Sequence, residues 1–173
     1  QSLVIHLAAI EVVPHFTRLA IRNHAEMQPH PKLIDDTTGG LATIRASERG
    51  RADELLEAGD LLFVRSNGNR ELIGRCLYFP RVQERLAFSG FTIRGRFDRR
   101  LIDPEYASFL MRSELVASQI FLGGSGTNIS NLSQEILMGI SVQVPPLSEQ
   151  RSIAQVLATW DASIAAYQTL LAN

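Results

Sequence analysis

The sequence holds a single cysteine, Cys76, and a single lysine, Lys32, in 173 residues. One thiol excludes an internal disulfide and any metal site built on several cysteines. The four histidines, His6, His15, His24 and His30, offer no replacement, because they lack metal-ligand spacing and carboxylates at suitable offsets. No metal and no cofactor are expected. Lys32 follows His30 and Pro31, so the acid-x-Lys core of a restriction nuclease is missing. No glycine-rich loop is followed by the lysine that a phosphate-cradling nucleotide site requires. Val144-Pro145-Pro146-Leu147 is not the Asn/Asp-Pro-Pro-aromatic run of an adenine methyltransferase, and no Gly-x-Ser-x-Gly elbow occurs. No catalytic constellation is therefore expected in this chain. Uninterrupted apolar runs of about 18 residues are also absent, as is a basic flank beside Gln1-Ser2-Leu3, so a cytoplasmic chain with no membrane partner is expected. The missing initiator Met points to a longer protein.

What is present is an ordinary globular composition, 45% apolar with a net charge of −1, enough for one domain with its own core. The net charge hides an uneven distribution. Sixteen of the 17 basic residues are Arg, and from Leu61 to Arg100 nine of them stand against Glu71, Glu84 and Asp98, giving that segment +6 and the remainder −7. Arginine presents a planar fork of donors that fits phosphates and guanine edges. The middle of the chain is thus a candidate anion-facing surface; arginine-rich codon usage and ordinary solvated faces would produce the same count.

Along the chain, Leu3 to Val13 reads as a strand interrupted by Pro14, and 28–40 as loop. Leu41 to Ile44 reads as a short strand and Arg51 to Ala58 as a brief helix stopped by Gly59. Leu61 to Val64 is a buried-strand pattern followed by turn residues Arg65 to Arg70. Further strands are expected at Cys76 to Phe79 and Ala87 to Arg94. Asp103-Pro104 is a strong helix start, and Tyr106, Phe109, Leu110, Val116, Ala117, Ile120 and Phe121 carry one helix to Gly123-Gly124. Ile140 to Val144 is a strand, and a last helix spans Ser148 to Leu171. In that helix Ile153, Leu157, Trp160, Ile164, Tyr167 and Leu171 are spaced 4, 3, 4, 3 and 4, the alternation that turns one stripe toward a partner helix. The same stripe would serve to pack the helix on its own domain. Its 24 residues would reach about 36 Å, near one DNA turn of about 34 Å.

Three passages together resemble the specificity subunits of type I restriction-modification enzymes. The first is Gly59-Asp60-Leu61-Leu62-Phe63-Val64-Arg65-Ser66-Asn67 with Leu72-Ile73-Gly74-Arg75 behind it. The second is Gly123-Gly124-Ser125-Gly126-Thr127-Asn128-Ile129-Ser130, and the third is Val144-Pro145-Pro146-Leu147-Ser148-Glu149-Gln150-Arg151-Ser152-Ile153-Ala154. The likeness covers roughly Leu41 to Ala165. It implies an α+β target-recognition domain over 1–146, with a curved mixed sheet and packed helices, and a coiled-coil-type spacer and dimerisation helix over 147–173. The implied function is recognition of one half of a bipartite site in double-stranded DNA. The implied partners are a methyltransferase subunit and, through it, a restriction subunit. A full family member carries two such domains and two helices, so this chain reads as a fragment or as a half-subunit that pairs with itself into a homodimer.

Within that resemblance Arg65, Ser66, Asn67, Asn69, Arg70 and Arg75 become candidate DNA contacts, since Arg suits guanine and Asn suits adenine in the major groove. Arg94, Arg96, Arg99 and Arg100 suit phosphates. Ser125, Thr127 and Asn128 lie in a Gly-rich segment whose amides could hold a phosphate, or that simply ends a helix. Ile153, Leu157, Trp160, Ile164, Tyr167 and Leu171 are the candidate subunit interface. A competing reading is a protein-interaction module that works through its last helix and binds no DNA.

Overall fold

The computed structural model describes residues 3–6, 11–13, 55–67, 70–82, 86, 88, 91–124 and 131–172. The expected strand at Leu41 to Ile44, the loop 28–40 and most of the helix expected from Arg51 lie outside them. The strands are β1 (Leu3–His6), β2 (Glu11–Val13), β3 (Leu61–Val64), β4 (Cys76–Tyr78), β5 (Thr92–Arg96) and β6 (Ser141–Val144). The helices are α1 (Pro104–Leu110), α2 (Glu114–Gly123), α3 (Gln134–Met138) and α4 (Leu147–Leu171). The strands form a four-stranded sheet in the order β2-β5-β3-β4 and a two-stranded sheet of β1 and β6. Mixed helix and sheet with a long last helix is the expected class. The expected single mixed sheet is instead two, and every described pairing is antiparallel.

β3 is central, and all four of its residues are buried because a sheet interior with both faces covered admits no polar alternation. Its side chains divide by parity. Leu61 and Phe63 join Ile93, Ile102, Val116, Leu137 and other residues in the main core. Leu62 faces the other way, into a smaller cluster with Leu56, Leu77, Phe79, Leu86 and Phe88. Leu62 lies opposite Arg94 in the register with β5, so Arg94 shares the small-cluster side.

Three departures from the sequence reading have local causes. The segment Leu3 to Val13 is two strands that pair with different partners, β6 and β5. The expected helix to Ala58 gives way, over its described end, to a turn in which Asp60 Oδ2 accepts from Glu57 N at 2.7 Å. Gly59 there has φ 95°, a left-handed backbone that glycine permits. The helix expected from Asp103 to Gly123 breaks at residues 111–113, where Ser113 takes an extended conformation and its Oγ accepts from Val116 N. A serine that can cap a new helix is a stop for the old one. Asp103 caps α1 as its sequence indicates, accepting from Glu105 N and Tyr106 N with Pro104 in the first turn. Ser133 caps α3 in the same way, and β5 begins later than expected, at Thr92.

Candidate functional site

At the carboxy end of β3 the backbone gathers three separate segments. Val64 N donates to Arg75 O at 2.8 Å and Gly74 N to Val64 O at 2.9 Å, which ties the return of the β3–β4 connection to the strand. Gly74 makes that approach with φ 84°. Arg65 N and Ser66 N both donate to Phe91 O, at 2.9 and 3.3 Å, and Arg65 O accepts from Leu132 N at 2.8 Å. Arg65 is thereby held between the start of β5 and the segment that leads into α3. Its side chain is exposed, Ser66 and Asn67 are half-buried, and Phe91 is 64% exposed. Arg75 is half-buried, its guanidinium Nε donating to Glu71 O at 3.1 Å. A cation with a forked donor set, an amide and an open aromatic ring therefore share one end of the sheet.

Phe91 has no counterpart in the sequence reading, because Phe91 lies inside a stretch read as strand. The Gly90-Phe91 pair after Ser89 is the signal that could have marked a turn. Asn69, Ser125, Thr127 and Asn128 lie outside the described residues. Arg70 opens a 3-10 turn, Arg70–Leu72.

Among the described residues, the remaining arginines of the central third do not form one open face. Arg94 is a correction: its side chain is 0% exposed, with Nη1 donating to Leu55 O at 2.8 Å and the guanidinium 5.8 Å from the Phe88 ring centre. The parity of β5 turns it into the small cluster, where a phosphate cannot reach. Arg96, two residues on and therefore on the same side, is engaged as well. Its Nε and Nη2 grip Asp60 at 2.7 and 2.8 Å, and Nη1 meets Glu57 at 2.9 Å. Asp60 is itself buried, so this pair secures the turn before β3 and is not poised for an incoming anion. Arg99 donates to Ala58 O. Arg100 chelates Asp98 with Nε–Oδ1 2.9 Å and Nη2–Oδ2 2.6 Å. Those hydrogen bonds hold the Asp98 carboxyl down at about 2. Arg65 and Arg81 are exposed.

The long helix is anchored by a residue that the sequence offered only as part of a motif. Gln150 is 1% exposed. Its Oε1 accepts from Asp103 N at 2.9 Å, and its Nε2 donates to Leu101 O at 3.1 Å and Pro145 O at 2.8 Å. A buried amide with both ends satisfied locks the first turn of α4 to the start of α1 and to the end of β6. Ala154 follows on the same side, buried in the main core.

Ile153 also packs against that core, which corrects its place in the expected interface stripe: the first two turns of α4 are spent on the chain's own body. From Leu157 onward the stripe is open, with Trp160 at 67%, Tyr167 at 69% and Leu171 at 87% exposed and Ile164 less so. Among the described residues no helix is long and apolar enough to cross a membrane, and no group of three or more His, Cys, Asp or Glu could hold a metal. Burial pushes the Cys76 thiol up to about 12, so it carries far less of the reactive thiolate at neutral pH than an ordinary cysteine does.

Residues 100–173 match the family described as the type I restriction modification DNA specificity domain. The putative type I restriction enzyme MjaX specificity subunit of Methanocaldococcus jannaschii is 30% identical over 105 residues, which is 60% of this chain and 24% of that protein. The type I restriction enzyme StySPI specificity subunit of Salmonella potsdam is 26% identical over 100 residues, 58% of this chain and 21% of its own length. The HsdS subunit from Thermoanaerobacter tengcongensis superposes with a TM-score of 0.64 at 19% identity, covering 99% of this chain and 44% of that one. A chain from a structure of type I R-M complex assembly and conformational transition gives 0.65 at 18% identity, covering 97% of this chain and 44% of its own. The chain thus spans about a quarter of the curated relatives and under half of the solved ones, and at these identities the superpositions speak for the fold. The Pro-Pro-Leu-Ser-Glu-Gln turn into α4, the Gln150 lock and the match over residues 100–173 lie on the same stretch of chain, and over that stretch the chain is similar to the DNA specificity domain of type I restriction-modification systems.

Proposed function

We propose that this chain reads one half of a bipartite site in duplex DNA. In this reading a recognition body over 1–146 does the reading and the helix over 147–173 serves as spacer and docking rod. The observation that carries the reading is the family match over residues 100–173. The geometry that supports it is the constellation of Arg65, Ser66, Asn67, Arg75 and Phe91 at the end of β3, where an exposed guanidinium stands on a backbone fixed from two sides. Direct readout needs donors whose position is set before the groove is met. Asn69, Arg70, Ser125, Thr127 and Asn128 remain proposed contacts on the strength of the resemblance. Arg94 and Arg96 are not among them. The partners proposed are the methyltransferase subunit and, through it, the restriction subunit. The open stripe Leu157, Trp160, Ile164, Tyr167 and Leu171 is the surface for an apposed helix, supplied by a second copy or by the partner half of a longer subunit. The chain itself supplies no catalysis.

The test is fluorescence anisotropy of the chain against selected and random duplexes at several salt concentrations. Sequence-dependent affinity is expected, with Arg65→Ala weakening it about 10- to 100-fold as for loss of one bidentate base contact. If every duplex binds alike, sequence reading is excluded; if none binds, the interaction-module reading takes its place. Truncation should be made after Ala158, not after Pro146, because Gln150 and Ala154 belong to the body. The shortened chain is expected to lose association with partners and to keep half-site affinity.

A further inference from the structure

α4 touches the body at a second place, three turns beyond Gln150. Arg112, in the break between α1 and α2, reaches Asp161 with Nη2–Oδ2 3.5 Å. The guanidinium is prepared for that contact. Its Nε donates to Ser108 O at 2.9 Å, and its plane lies over the Phe109 ring at 4.7 Å from the centroid. An arginine held at the stem by a carbonyl and at the face by an aromatic ring loses little further freedom on meeting a carboxylate. Asp161 is half-exposed, whereas every residue from Ala162 to Ala172 is exposed. Among the described residues, Asp161 is therefore the last part of α4 drawn toward the body.

Two attachments on one rod fix more than one alone. At 100° per residue, Gln150, Ala154, Ala158 and Asp161 fall on one side of the helix, while Leu157, Trp160, Ile164, Tyr167 and Leu171 lie roughly a quarter turn away. The Gln150 lock pins the near end of the helix. With Ile153 and Ala154 packed on the core it holds the first two turns, and beyond them the direction of the rod depends on contacts further along. We propose that Arg112 is a positioning residue that sets the tilt and roll of α4 through Asp161, and so decides where the open apolar stripe points. A tilt of about 15° about Ala154 would move Leu171, about 25 Å further along the axis, by about 6 Å. That displacement is as large as the pitch of one helical turn, about 5.4 Å, so a partner helix would meet the stripe in a different place. Under the DNA reading above, loosening the strut would broaden the spacing of half-sites that an assembled pair tolerates; that consequence rests on the proposed function, while the strut does not.

The test is a spin-label distance measurement on the full chain, with labels at Ser118→Cys on α2 and Gln168→Cys on α4 and an excess of unlabelled chain to suppress distances between copies. Cys76 is replaced by Ala throughout, so that only the two introduced thiols carry a label. The unaltered pair should give one narrow distance distribution. Arg112→Ala and, independently, Asp161→Asn should broaden it or shift its mean by several ångströms, with the urea midpoint little changed. The exchanged pair Arg112→Asp with Asp161→Arg should restore part of the narrow distribution, which a general packing defect would not do. Distributions for both single variants that superpose on the unaltered one would overturn the proposal. Because Asp161→Asn removes one charge from a half-exposed residue without changing its size, it keeps the test decisive if Arg112→Ala fails to fold. DNA affinity plays no part in this readout, so failure of the DNA reading and failure of the strut are seen separately.

Discussion

Replacing Gln150 by alanine strips partners from three backbone groups at once: the Asp103 N–H, the Leu101 carbonyl and the Pro145 carbonyl. A buried polar group left unpaired costs about 1–3 kcal/mol. Leu101 stands partly in water, so its carbonyl can be rescued and the sum belongs at the low end, about 3 kcal/mol. With a urea m-value of about 2 kcal/mol/M, the midpoint followed by far-ultraviolet circular dichroism should fall by about 1.5 M. Gln150→Glu makes a sharper test. Its carboxylate keeps the acceptor for Asp103 N–H but turns an oxygen toward two carbonyl oxygens, so at neutral pH it should cost at least as much as alanine. Below the pKa of that carboxyl the protonated oxygen can donate, and part of the loss should return. Gln155→Ala on the exposed side of α4 is the control, expected within about 0.5 kcal/mol of the unaltered chain. A Gln150→Ala midpoint within about 0.3 M of the unaltered value, at equal m, would refute the lock and leave this glutamine as a partner contact instead.

Arg96→Ala should lower stability by about 3 kcal/mol in urea melts, since it leaves the buried Asp60 carboxylate without its cation; an unchanged midpoint would return Arg96 to the pool of free surface charges. Gly59→Ala places a side chain on a backbone at φ +95° with its Cβ 2.7 Å from Arg99 Nη2, and calorimetry should show a loss of about 1–2 kcal/mol. Cys76 should react with a thiol reagent at pH 8 about a thousandfold more slowly than a free thiol, because a group at about 12 is only about one part in ten thousand thiolate there; unfolding in urea should restore the ordinary rate. The same shift has a thermodynamic side. The unfolded thiol ionises near 9 and the folded one only near 12, so the unfolded state binds fewer protons between those values and stability should fall as pH rises through that window. Tyr78, pushed up to about 12 chiefly by burial, adds to the decline from about pH 10.

The elements that were legible in the sequence are those whose signals are local. Asp103-Pro104 specifies a helix start through a side chain that reaches its own next amides, and Leu61 to Val64 announces a strand covered on both faces by its unbroken apolar run. The family passages were legible too, because each is a contiguous string. The break of the expected long helix was missed although its cause, Ser113, is local as well: apolar periodicity runs straight across residues 111–113 and outvotes one serine.

The candidate site divides along the same line. The sequence by itself determined that the central third is rich in arginine, that Arg65 and Asn67 follow a buried strand, and that an apolar stripe runs down the last helix. Only the tertiary structure decided which arginines are free. The parity of β5 and its register with β3 turned Arg94 inward and set Arg96 on Asp60, two residues whose sequence setting differs little from that of Arg65. It also joined Arg65 to Phe91 and Leu132, and Gln150 to Leu101 and Asp103, across separations that no window of sequence spans. Charge and hydrophobic period are properties of a residue and its near neighbours; whether a given guanidinium meets water, a carboxylate or a ring depends on which distant segment the fold lays beside it.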